Sequence, residues 1–149
     1  MNDGISASDG ASSTGKRVLL LEDDFQLCEA LKAWFEMNDF AVTSVHRGVE
    51  GLTEVMKHDF DAIVCDMVMP MMPGDMFYLA VGKVKPHLCE RFIFITGHKD
   101  DPNIAKFLWE FCGPTFHKPL QLEDLMAAVR HIMQSSAQGE VIGLGGLPK

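Results

Sequence analysis

The sequence predicts an α/β fold: a parallel sheet wound on both faces by helices, a doubly wound (βα)5 three-layer sandwich. Three observations carry this. Short apolar runs alternate five times with stretches of helical periodicity. The central runs Val18–Leu21, Ala62–Cys65 and Phe92–Ile95 are continuously apolar, as strands buried on both faces must be. Each run then ends in polar residues, and in open parallel sheets ligands sit beyond the carboxyl ends of the strands.

The elements follow in order. A first strand is expected over 17–22 and a helix over 25–37, where Leu27, Leu31, Trp34 and Phe35 recur at helical spacing. Ala41–His46 reads as a short second strand, and 48–57 as a helix with Val49, Leu52, Val55 and Met56 on one face. The third strand is Ala62–Asp66, followed by a loop with Pro70 and Pro73 and a helix over 75–84. Phe92–Thr96 is the fourth strand. The acids before Pro102 start the fourth helix, which should end before Gly113-Pro114. Thr115–Lys118 is the fifth strand, and Leu122, Leu125, Met126, Val129 and Ile132 form the inner stripe of a last helix over 121–135. The Ser/Gly/Asp-rich residues 1–16 read as a flexible leader, 17–136 as one folded domain, and the glycine-rich 137–149 as a flexible tail.

Composition narrows the function. A chain of 149 residues, 47% of them hydrophobic, suits one domain with a single core. The net charge of −8 offers no basic stripe and argues against direct binding of nucleic acid. No apolar run approaches a membrane span, and the leader lacks the apolar core of a secretory signal. Cys28, Cys65, Cys89 and Cys112 are widely spaced with no CxxC, so reduced thiols and a cytoplasmic location are expected.

The strand ends collect a particular chemistry. Glu22-Asp23-Asp24 follows the first strand, Asp66 ends the third, Thr96 the fourth and Lys118 the fifth. Asp24 is placed to cap the first helix. Taken alone, the acid run would more often be such a helix start than a metal site. With Asp66 beside it, the balance changes. Two carboxylates about 4 Å apart repel by roughly 4 kcal/mol at an effective dielectric near 20. Magnesium relieves this, since it takes hard oxygen ligands and needs only one or two carboxylates alongside waters and a phosphate. The pattern points to a divalent metal and phosphoryl transfer.

Four segments resemble the receiver domains of two-component response regulators: Leu20-Leu21-Glu22-Asp23-Asp24; Asp66-Met67-Val68-Met69-Pro70 with Met72 and Gly74 in step; Ile95-Thr96-Gly97; and Lys118-Pro119-Leu120. Each is weak alone; four in order on successive strands are specific. The resemblance spans about residues 16–135 and implies a flavodoxin-like sheet in the order 2-1-3-4-5. It implies that Asp66 is the phosphoacceptor, Asp23 a direct ligand of Mg2+, Glu22 a ligand acting through water, and the Val68 carbonyl the last protein ligand. Thr96 would donate its hydroxyl to the phosphoryl group, and Lys118 would pair with it, with Lys118-Pro119 as a cis peptide. The donor would be a phosphohistidine on a sensor histidine kinase or histidine phosphotransfer domain. The chain would then be a signalling module that catalyses only its own phosphorylation and dephosphorylation. It would be a stand-alone regulator or the receiver of a hybrid histidine kinase.

One position departs from the family pattern. An aromatic residue is usual three before the strand-five lysine, where this chain has Thr115. Phe116 points to the other face of the strand and is no substitute. A pseudo-receiver acting as a docking module is thus a second reading, opposed by the intact Glu22, Asp23, Asp66, Thr96 and Lys118. A third is a haloacid-dehalogenase-like phosphatase, which needs a second Asp two residues after its nucleophile; Val68 stands there. Methionines 67, 69, 71, 72 and 76 read as packing and loop residues rather than a soft-metal site. His98 is expected at the rim.

Overall fold

The computed structural model describes residues 15–146, with side chains to residue 136. Five parallel strands, β1 (Arg17–Leu21), β2 (Ala41–Val45), β3 (Ala62–Asp66), β4 (Phe92–Thr96) and β5 (Thr115–His117), form one sheet in the order β2-β1-β3-β4-β5. Between and after them run α1 (Phe25–Met37), α2 (Gly48–Lys57), α3 (Gly74–Val84), α4 (Pro102–Phe111) and α5 (Leu122–Gly146). A 3-10 turn at Pro86–Arg91, for which the sequence carried no expectation, leads into β4.

The strands' twofold alternation divides the core in two. Val18, Leu20, Val64, Ile93 and Ile95 pack with Leu31 and Phe35 of α1 and Leu125 and Val129 of α5. Leu19, Leu21, Ile63, Cys65, Phe92 and Phe94 face the other way, onto Val55, Phe77 and Val81 of α2 and α3. Strand order reverses between β1 and β3, so the crevice of a doubly wound sheet opens at their carboxyl ends.

Local signals act as their chemistry dictates. Asp24 accepts from Leu27 N at 3.1 Å and starts α1. Asp101 accepts from Asn103 N and Ile104 N ahead of Pro102 and starts α4. Three expectations need correction. The buried face of α2 is Gly48, Gly51 and Val55, while Val49 and Met56 are exposed. The two glycines let this helix settle against its neighbours: a Cβ at Gly51 would come within 2.6 Å of Leu21 Cδ2 and 3.0 Å of the Phe77 ring. Glu22, His46 and Lys118 lie just past the ends of β1, β2 and β5 rather than within them. The last helix continues to Gly146, the last residue described, instead of ending near 135. Expectations for residues 1–14 and 147–149 lie outside the described residues.

The four thiols are free, with Cys28 and Cys65 buried. Met67 and Met69 are core residues and Met72 packs against them, whereas Met71 and Met76 are exposed. Among the described residues no helix is long and apolar enough to cross a membrane.

Candidate functional site

Parallel pairing assembles the site from distant segments. Register Leu21↔Cys65 brings the next residues, Glu22 and Asp66, side by side, and Thr96↔His117 brings Lys118 past the end of β4. Glu22, Asp23 and Asp66 each offer a carboxylate oxygen, and these atoms lie within 4.8 Å of one another. Asp23, Asp66, Val68, Gly97, His98 and Lys118 line a cleft of about 170 Å³ above them. The sheet thus gathers all six candidate residues at one end, with Thr96 fully buried and its carbonyl accepting from Lys118 N.

Lys118 is the hub. Its Nζ lies 3.2 Å from Asp66 Oδ2 and 3.1 Å from Glu22 Oε1. Burial works against its charge, but the Asp66 and Glu22 carboxylates outweigh that and raise its pKa above the ordinary lysine value. The Lys118–Pro119 peptide is cis. Asp66 is 2% exposed, and its Oδ1 accepts from Val68 N at 3.2 Å. Thr96 Oγ1 accepts from His98 N at 2.9 Å, which leaves the hydroxyl proton to donate elsewhere. His98 is exposed at the mouth.

Among the described residues, Glu22 is the acid whose charge its surroundings oppose most. It is fully buried, and its pKa is pushed up to about 7, chiefly by burial. The nearby Asp66 charge adds to this, against the Asp24 N–H and Lys118. Its Oε1 is buried with no aligned hydrogen bond, even though Lys118 Nζ is close. Three clustered carboxylates, only two of them in contact with the Lys118 ammonium, are a donor set suited to a hard divalent cation. Glu22, Asp23 and Asp66 could hold it, and Val68 lies beside them.

Two features were not legible in the sequence. Gly74 N donates to Met67 O at 2.9 Å, and a Cβ at Gly74 would meet Asp66 O at 2.6 Å, so α3 starts directly against the Asp66 backbone. His46 Nδ1 lies 3.0 Å from the Glu22 carbonyl oxygen. Only the register of β2 against β1 reveals that contact.

Thr115, half-buried, stands at the position usually held by an aromatic. Thr115 pairs with Phe94 in register, and Phe116 packs in the opposite layer, with α1 and α5. Phe107 and Phe111 of α4 instead surround Phe94, with ring centroids at 5.4 and 4.8 Å.

Comparison with known proteins agrees with this architecture. The family model for the response regulator receiver domain matches residues 18–130. The response regulator ArlR of Staphylococcus aureus is 24% identical over 131 residues, 88% of this chain and 58% of its own length. The chain therefore spans just over half of the curated relatives it matches. A CheY-like response regulator receiver domain protein from Methanospirillum hungatei superposes with TM-score 0.75 at 22% identity, covering 83% of this chain and 97% of that one. A receiver domain protein from Clostridium thermocellum gives 0.73 at 23%, covering 82% and 97%. The signal receiver domain of a signal transduction histidine kinase from Syntrophus aciditrophicus gives 0.71 at 24%, covering 81% and 92%.

Proposed function

The chain belongs to the response regulator receiver family, and on that premise we propose that it accepts a phosphoryl group on Asp66 in a two-component phosphorelay. The single observation that supports this most is the contact of Lys118 with both Asp66 and Glu22 beneath an open cleft. A carboxylate nucleophile, a fixed cation and a cluster of metal-binding acids thereby meet at one point.

The donor is a phosphohistidine on a sensor histidine kinase or histidine phosphotransfer domain. A carboxylate oxygen of Asp66 forms the new O–P bond as the N–P bond breaks, and the departing imidazole takes up a proton from solvent water. Such transfers leave the protein mainly to position groups and offset charge. Lys118 supplies a positive charge within 3.2 Å of Asp66. The buried Thr96 hydroxyl, oriented by His98 N, donates to a phosphoryl oxygen. Val68 N, already on Asp66 Oδ1, holds the carboxylate in place during attack. Mg2+, held by Glu22, Asp23, Asp66 and the Val68 carbonyl, would neutralise phosphoryl oxygens when bound. The protein side of the reaction is then complete without a general acid or base.

Intact-mass measurement after incubation with acetyl phosphate tests this. One phosphoryl group per chain is expected with magnesium and none without it, and Asp66→Asn should remain unlabelled. Stoichiometric labelling of that variant at another residue would overturn the assignment.

A further inference from the structure

The peptide unit joining Glu22 to Asp23 is held from β2. Its carbonyl oxygen lies 3.0 Å from His46 Nδ1, while Glu22 N, in the preceding peptide unit, donates to Val45 O at 3.1 Å. A carbonyl can only accept, so Nδ1 is the nitrogen that carries the proton. The residue is itself held, backbone and ring. His46 N donates to Glu50 Oε1 at 3.1 Å in the first turn of α2, and the Phe25 ring packs on the imidazole with centroids 5.1 Å apart.

Asp23 has no comparable support. Its side chain is exposed, and among the described residues no hydrogen bond or ion pair holds its carboxylate. What directs it is the backbone. Because the peptide is planar, the Glu22 carbonyl and the Asp23 N–H turn together, and that rotation swings the Asp23 Cβ. Magnesium tolerates little departure from octahedral geometry, so a ligand aimed wrongly binds weakly. Groups that orient ligands commonly matter nearly as much as the ligands themselves.

We propose that His46 is a positioning residue for Asp23: its Nδ1–H fixes the Glu22–Asp23 peptide so that the Asp23 carboxylate meets the cation beside Glu22 and Asp66. This rests on the magnesium reading of the acid cluster. Two substitutions separate the donor from the ring. His46→Phe keeps an aromatic ring against Phe25 and removes the donor. His46→Asn keeps an N–H on the γ carbon, where Nδ1 stands.

The experiment is an amide chemical-shift titration of the full chain with magnesium chloride, with metal-free spectra and melting temperatures as controls for folding. His46→Phe should bind about fivefold more weakly, the loss of one ordinary hydrogen bond. His46→Asn should stay within about twofold of the wild type. Equal affinity in wild type and His46→Phe would overturn the role of His46 alone. Equal weakening in His46→Phe and His46→Asn would also overturn it, by assigning the effect to the ring. A wild-type protein whose site amides ignore magnesium would overturn the metal reading together with this one.

Discussion

Gly74 approaches Asp66 so closely that a Cβ there would stand 2.6 Å from the Asp66 carbonyl oxygen and 2.9 Å from Met67 Cα. Both contacts are backbone, so neither can move aside as a side-chain tip would. Gly74→Ala must therefore shift the start of α3 or the end of β3. A loss of about 1–3 kcal/mol is expected, the usual penalty for overpacking, with slower labelling of Asp66. Urea unfolding alongside acetyl phosphate labelling would check both; unchanged stability would show that the loop yields freely.

Asp23 offers a test of the metal site with little structural side effect. Its carboxylate is exposed and unpartnered among the described residues, so Asp23→Ala should change metal-free stability by under about 0.5 kcal/mol. Wild-type protein should gain about 2.7 kcal/mol when magnesium reaches a hundred times its Kd. The variant should lose most of that gain. Denaturant curves with and without magnesium measure both quantities, and an equal gain in the two proteins would remove Asp23 from the site.

Val68 lines the cleft beside Asp66 and presents an apolar, 39% exposed side chain there. Hydrolysis of an acyl phosphate needs an oriented water, and valine offers it no hydrogen bond. The phosphoryl group should be long-lived, and Val68→Asn should speed its loss by about tenfold, or about 1.4 kcal/mol off the barrier. Phosphate-release kinetics at matched magnesium decide the matter; an unchanged or slower rate counts against it.

The response to phosphorylation should concentrate in the loops after β3 and β4. Thr115 carries no ring to turn, and Phe116 is committed to the opposite core. No residue of α4 is fully buried; Phe107 and Phe111 hold it by ring contacts with Tyr78 and Phe94. Beryllofluoride, a phosphoryl mimic, should therefore shift amides of those two loops and α4. Large cooperative shifts throughout β5 and α5 would defeat this expectation.

Strand and helix order, the strand-end positions of Asp66 and Thr96, and the caps Asp24 and Asp101 were all readable from residue order. Such features depend on neighbours a few positions apart, where a period of 2 or 3.6 and a capping side chain leave direct marks. Even the family pattern needed only the order of its four segments.

Other properties depend on contacts that no local period encodes. Val49 and Met56 share the apolar stripe of α2, yet Gly48 and Gly51 face inward, because close packing against Met72, Leu21 and Phe77 favours the side without side chains. Lys118 meets Glu22 across 96 residues, and His46 meets the Glu22 carbonyl across 24. Both contacts exist only once β1 takes its register between β2 and β3. The sequence alone determined which chemical groups stand at the strand ends. Tertiary pairing decided which of them touch, because register sets distances between residues that share no local geometry.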